Sequence, residues 1–296
     1  MFITEAAKMV FKSDIQRKKF ITIMTHVVLI GLSLAFIFPF LWLLDTAVKP
    51  INETMRNPPK WIPSKFQFNN FWDAMKYGSE QVGYIPFLVY AQNTIMLCLL
   101  TVCGTVTSNS IVAYAFARLR WKGRDLIFAI TLATMMVPFP VLMVPTFALF
   151  RHLDWIGTFR PLWVPAWFGS AFSIFLLRQF FRTIPLELSE AAKIDGASEW
   201  CIFRQIVLPL CKPALAVVAL FSFMGTWNDF LGPLIYLLRQ KTYTLSLGLQ
   251  FYQSHAGGTE WNLQMAATAI VILPVLVLFF FAQRIFIKGI ALTGIK

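Results

Sequence analysis

The chain has 296 residues, 57% of them apolar and 14% charged, with a formal net charge of +12. A soluble domain of this length cannot hide so much apolar surface and still show water a charged skin, so the composition excludes an ordinary soluble enzyme and points to an integral membrane protein. The basic excess would suit a nucleic-acid partner in a soluble chain, but in a membrane protein lysine and arginine gather at cytoplasmic loops, and no nucleic acid is expected.

Residues 1–20 read as a cytoplasmic N-terminal segment. Ile3, Ala7, Val10 and Phe11 fall near one face with Lys8 and Lys12 beside it, a pattern that suits either an interfacial helix or a solvated tail. Apolar runs of transmembrane length follow at residues 21–44, 86–117, 126–150, 162–177, 213–238 and 263–286, so the expected fold class is all-α, with six transmembrane helices. The first run is too long for a signal-peptide core, and no small-residue cleavage site follows it; it is expected to remain as an anchor.

The loop at 45–85 is rich in Pro, Asn and Trp. Its Asn57-Pro58-Pro59 and Ile62-Pro63-Ser64 stretches predict turns and no folded catalytic domain. The third run carries Pro138, Pro140 and Pro145. Such a run leaves carbonyls unpaired, which a bilayer tolerates only where they line a cavity or pack on protein, so it is expected near a subunit interface or a pathway.

Basic residues orient the chain. With the N-terminus inside, the inner segments hold 17 of the 26 basic residues, and the tight group Arg118, Arg120, Lys122 and Arg124 between two spans is the strongest vote. Both termini are therefore expected in the cytoplasm. Cys98 and Cys103 lie in an apolar run, while Cys201 and Cys211 lie in an inner loop. They lack Cys-x-x-Cys spacing, and His26, His152 and His255 are scattered, so neither a disulfide nor a metal is expected.

The inner loop at 183–209 describes two short helices joined by a sharp turn. Pro185 suits a first helical turn and Glu187 sits near the positive end of the helix dipole. Residues 186–194 are mostly good helix formers, Gly196 can take the left-handed conformation that ends the helix, Ser198 can cap the next one, and Pro209 is expected to stop it. The same loop resembles the EAA loop of ABC importer permeases: Glu-Ala-Ala, three residues, Gly, nine residues, Ile, one residue, Leu, Pro. The chain supplies Glu190-Ala191-Ala192, Gly196, Ile206 and Leu208-Pro209 with no departure, and Asp195 before the glycine as these permeases often do.

The resemblance implies one permease domain over residues 1–296, with the type I importer fold, a coupling loop at 183–209 and a cytoplasmic tail at 287–296. It implies a multi-pass subunit of the bacterial inner membrane that works with a second permease subunit, two ATPase subunits and an extracytoplasmic solute-binding protein. Glu190, Ala191, Ala192, Asp195 and Gly196 would dock on the ATPase, the alanines permitting close approach and Glu190 offering a charge-assisted hydrogen bond. The chain has no Gly-Lys dipeptide and hence no phosphate loop of its own. It is expected to bind no cofactor and to carry no catalytic residue, with ATP and Mg held by the partner ATPase. The stretches 114–119, 227–234 and 288–296 narrow the resemblance to carbohydrate importers, in particular the maltose-type second permease.

In the fifth span, Trp227, Asn228 and Asp229 have two readings. They could line a sugar path, the tryptophan offering a flat face to a pyranose ring, or they could cap a helix break near the outer end, where Gly232-Pro233 follows. The loop at 250–261 is too polar to enter lipid. By position and character it resembles the loop with which maltose-type permeases reach into the binding protein. Tyr252, Gln253, Ser254, His255, Ala256, Gly257 and Gly258 are the expected contacts there. The loop at 45–85 sets five Lys/Arg against Asp45, Glu53, Asp73 and Glu80, a balance that would tolerate an acidic oligosaccharide such as alginate. Within the same class an importer for a non-sugar solute remains open. A secondary transporter could share the spans and the buried Asp, but would not need the EAA loop.

Overall fold

The computed structural model describes residues 14–254 and 258–293; the expectations for residues 1–13, 255–257 and 294–296 fall outside them. The fold is helical apart from one two-residue pairing, β1 (Gln253–Ser254) with β2 (Gly258–Thr259). Its long elements are α1 (Asp14–Ala47), α3 (Pro86–Arg118) and α10 (Trp261–Thr293), with the short α2 (Asn70–Lys76) in the loop between the first two. Each long helix is apolar over a membrane-spanning length. In α1 the most apolar stretch has no buried residue, so this helix shows nearly its whole circumference outward while resting on α10. A helix apolar all round is stable only in lipid or against another subunit.

The expected third and fourth spans are not single helices. The third is α4 (Arg124–Ala133) followed by α5 (Phe139–His152), with a 99° bend between them. Val137, the residue before Pro138, is extended at ψ 114°, because a proline ring disfavours the helical conformation of the residue before it and clashes with the carbonyl a turn earlier, which leaves no room for a continuous helix. The fourth starts as the turn Arg160–Trp163 and a tight 3₁₀ turn, Val164–Phe168. Only after Gly169, at φ +92°, does α6 (Ala171–Thr183) begin, capped by Ser170 accepting from the Ser173 amide. The 3₁₀ turn is held against α3. Trp167 Nε1 donates to Leu100 O at 3.2 Å, Ser108 Oγ donates to Ala166 O at 3.1 Å, and the Ser170 amide donates to the buried Asn109 Oδ1 at 2.7 Å. A tertiary contact thus fixes the break.

After the inner loop, α8 (Lys212–Trp227) runs back along α3, packed also on α6 and α10. It ends before the expected boundary, and α9 (Leu231–Tyr236) follows a three-residue break. The last helix, in contrast, passes residue 286 and continues to Thr293, into what was expected to be a tail. Two cores separate along the molecule. One gathers Ala113, Leu177, Phe181, Ile202, Val207 and Val218 beneath the inner loop. The other joins Ala47, Ala74, Tyr90, Trp227 and Tyr252 at the opposite end.

Candidate functional site

The inner loop folds as an elbow. Its first arm, α7, spans Leu186–Ile194, with Pro185 immediately before it and Glu187 in its first turn. Gly196 follows at φ +81°. Its amide donates to Lys193 O at 3.0 Å and the Ala197 amide donates to Ala192 O at 2.9 Å. These two bonds are the Schellman arrangement that closes a helix through a left-handed residue. Ser198 Oγ accepts from the Cys201 amide at 3.3 Å and opens the second arm, Glu199–Leu210. Pro209 was expected to stop this arm but lies within it, one residue before its end. The five residues before Leu208 wind as a wider π-turn, Phe203–Val207. A π-turn relieves the clash between a proline ring and the carbonyl a turn earlier, so the chain passes Pro209 and breaks only at Cys211.

The elbow presents Glu190, Ala191, Asp195 and Gly196 to the outside, while Ala192 is half-buried against the inner core. Of the residues expected to dock on an ATPase, four therefore share an exposed surface and the fifth packs it down. Glu199, which sequence reading missed, ties the elbow together. Its Oε1 lies 2.6 Å from Lys193 Nζ on the first arm, and its Oε2 accepts from Tyr114 Oη at 2.6 Å, near the end of α3. The Lys193 ammonium and then the Tyr114 hydroxyl hold its carboxyl below the ordinary glutamate range. Arg118 Nη2 donates to Ile184 O at 2.7 Å and anchors the entry to the elbow on the same helix. Tyr114, Arg118, Glu190, Lys193 and Glu199 share one hollow of about 640 Å3. The elbow is thus bonded at two points to α3, a helix of membrane-spanning length.

The other expected site residues divide differently. Trp227 is buried, stacks on Phe223 at 5.3 Å and donates through Nε1 to Val271 O at 3.3 Å. Its ring face is already covered, which removes it as an open platform for a sugar. Asn228 is exposed and donates to Met224 O at 2.8 Å. Asp229 Oδ1 accepts from the Gly232 amide at 3.0 Å and so caps α9 across the break. Asp229 also shares a hollow of about 430 Å3 with Phe139, Thr146 and Phe150 of the proline-bearing α5 and with Tyr236.

In the outer loop, Tyr252 is buried, stacks on Tyr77 at 4.9 Å and donates to Ala74 O at 2.7 Å. Its expected role as a contact is corrected by this geometry: the phenol is spent holding the hairpin to α2. Gln253 and Gly258 are exposed at the hairpin, Gly258 at φ +94°, and Ser254 pairs with Gly258. His255, Ala256 and Gly257 lie outside the described residues.

Known proteins resemble this chain over most of its length. Residues 109–292 match the model of the binding-protein-dependent transport system inner membrane component family. The chain belongs to that family. Among curated proteins, this family member is 33% identical to the arabinooligosaccharides transport system permease protein of Halalkalibacterium halodurans, over 95% of this chain and 99% of that one. It is also 33% identical to the sn-glycerol-3-phosphate transport system permease protein of Pectobacterium atrosepticum, over 93% and 98%. Its fold is that of a chain from a bacterial ABC transporter involved in the import of the acidic polysaccharide alginate, with a TM-score of 0.79 at 21% identity over 93% of this chain and 98% of that chain. A structure of a bacterial alginate ABC transporter in complex with alginate pentasaccharide-bound periplasmic protein matches with a TM-score of 0.65 at 19% identity, over 91% and 94%. The chain is a multi-pass ABC importer permease of the type I fold.

Proposed function

We propose that this chain is one of two pore-forming subunits of an ATP-driven, binding-protein-dependent importer that carries a carbohydrate across the bacterial inner membrane. The observation that carries the reading is the elbow: an exposed Glu190-Ala191 surface whose second arm is bonded through Glu199 to Tyr114 of α3. Two ATPase subunits would supply ATP and Mg, and Glu190, Ala191, Ala192, Asp195 and Gly196 would meet one of them. The six crossings would be α1, α3, the bent α4–α5 pair, α6 with the turns before it, α8 and α10, with both termini in the cytoplasm. The segment at 1–20 and the tail would then lie inside, and the elbow at 183–209 would be the coupling loop. On the outer face, Gln253 and Gly258 remain candidates for the binding-protein contact, with His255, Ala256 and Gly257 between them in sequence. Asn228 and Asp229 stay candidates for the path because of the hollow beside α5.

A carbohydrate cargo is supported by relatives named for arabinooligosaccharides and diacetylchitobiose. A second reading, an acidic solute, draws on the sn-glycerol-3-phosphate relative and the net charge of +12. Reconstitution with the cognate subunits decides between them. Uptake of a neutral arabino-oligosaccharide should require ATP inside the vesicle and the binding protein outside, and an ionophore should not change it. Uptake of sn-glycerol-3-phosphate alone would favour the second reading, and ATP-independent uptake driven by an ion gradient would contradict the proposal.

A further inference from the structure

Beside the elbow, five guanidinium groups converge where three helix ends meet. Arg118 ends α3, Arg120 follows it, Arg124 opens α4, and Arg178 and Arg182 lie in the last turns of α6. Together they line a hollow of about 380 Å3. Asp125 is the acidic side chain at this cluster, 2.9 Å from Arg124 and 3.9 Å from Arg178, and it is 74% exposed. Three of the arginines are built into the fold. Arg118 bonds Ile184 O, Arg124 reaches Leu119 O at 3.4 Å, and the buried Arg178 donates to Phe116 O at 3.3 Å with its guanidinium 4.0 Å from the Phe128 ring centroid. Arg118 Nε is buried with no hydrogen-bond partner among the described residues. Arg120 and Arg182 are exposed and make no ion pair among the described residues.

Arg118 and Arg120 also border the neighbouring hollow that holds Glu190 and Glu199, yet Asp125 alone is ion-paired to the five arginines among the described residues. The guanidinium groups repel one another unless an anion sits among them, and their planar forks match the oxygens of a phosphate in pairs. The surroundings select the kind of phosphate. Beyond Arg124, α4 exposes Leu126, Ile127 and Ile130, at 67%, 47% and 57%. Trp121 stands half-open beside the arginines, as aromatic residues do at a membrane interface. A free phosphate has no use for that apolar face, whereas an acyl chain does.

We propose that this hollow binds the phosphodiester headgroup of an anionic phospholipid of the cytoplasmic leaflet, with its acyl chains along the exposed face of α4. Basic pockets between helices on that side of a membrane are the usual seats of such headgroups. The site goes beyond transport itself and rests only on the inward placement of the elbow. By bridging the ends of α3, α4 and α6, the lipid holds the frame on which the elbow is mounted.

The test uses the assembled importer in detergent, with phosphatidylglycerol and phosphatidylcholine added at equal concentration and the retained lipids identified by native mass spectrometry. The wild type should retain phosphatidylglycerol in preference to phosphatidylcholine. The double variant R120Q/R182Q removes two exposed side chains that make no ion pair among the described residues. It should bind phosphatidylglycerol roughly thirtyfold more weakly, from the usual worth of two arginines at an anionic surface, with phosphatidylcholine unchanged. Equal retention of the two lipids by the wild type, or undiminished phosphatidylglycerol in the variant, overturns the proposal. A second arm adds inorganic phosphate at millimolar concentration. Retention of phosphatidylglycerol should persist there, and its full displacement would assign the hollow to free phosphate instead. Loss of the ATPase subunits from the variant would assign the arginines to a protein contact. None of these readouts depends on the cargo, so failure here leaves the transport proposal standing.

Discussion

Gly196 and Glu199 divide the work of the elbow. At φ +81° an added Cβ at Gly196 meets nothing within 4 Å, so the demand there is on the backbone alone. That demand was legible in sequence because helix ends are local: Pro185 fixes its own φ, and Gly196 and Ser198 meet backbone groups within a few residues. Glu199 was not legible, since its partner Tyr114 is 85 positions away and a glutamate after a cap looks like ordinary dipole chemistry. Trp227 kept two readings, and Tyr252 was expected at the binding-protein contact, for a related reason. An aromatic side chain suits a sugar face and a protein core equally, and only the packing partners separate the two. A pH test belongs at this scale. In the outer loop, Glu53 accepts from the Ser64 hydroxyl and amide and from Lys60, and in that order they hold its carboxyl down to about 2. A depressed carboxylate adds stability in full above its ordinary value of 4.5 and loses it as the pH falls toward about 2. Limited proteolysis between residues 57 and 65 should therefore be unchanged from pH 8 to pH 5 and rise below about pH 4. In Glu53→Gln it should already be faster at neutral pH. Equal cleavage of the two proteins at pH 7 would show that this carboxylate does not hold the loop.

At the scale of elements, composition and run length found α1, α3 and α10, because lipid imposes one unbroken apolar helix. The proline-bearing third run was read as broken from its residues, though not as a 99° bend. The fourth run read as a single short span because its apolar count hides the turn at Gly169. That turn exists through Asn109, Ser108 and Trp167, side chains of different elements meeting across α3. Gly104 makes the meeting possible, for a Cβ there would run into the Trp167 ring. Gly104→Leu should therefore destabilise the purified chain by about 1–3 kcal/mol, the usual cost of overpacking a filled site. Gly31→Leu, with nothing within 4 Å in α1, should leave the melting temperature in detergent nearly unchanged. Equal shifts for the two substitutions would mean that the turn does not depend on close approach to α3.

For the whole molecule, the two cores place the elbow at one end and the β1–β2 hairpin at the other. In the proposed six-crossing topology these ends lie on opposite sides of the membrane. In an otherwise cysteine-free chain, Gln253→Cys should react with a membrane-impermeant maleimide in cells whose outer membrane has been opened, and Lys193→Cys should react only after the inner membrane is permeabilised. Labelling of residue 193 without that step would reverse the orientation. The claim at the centre is that the elbow turns ATP hydrolysis into movement of the pore. It is tested most directly by the number of solute molecules carried per ATP hydrolysed in reconstituted vesicles, compared between wild type and Gly196→Val. A β-branched side chain is strained in the left-handed conformation and should shift the elbow without disturbing its core. The variant should insert and assemble with its ATPases but carry severalfold less solute per ATP. An assembled variant with the wild-type ratio would contradict it.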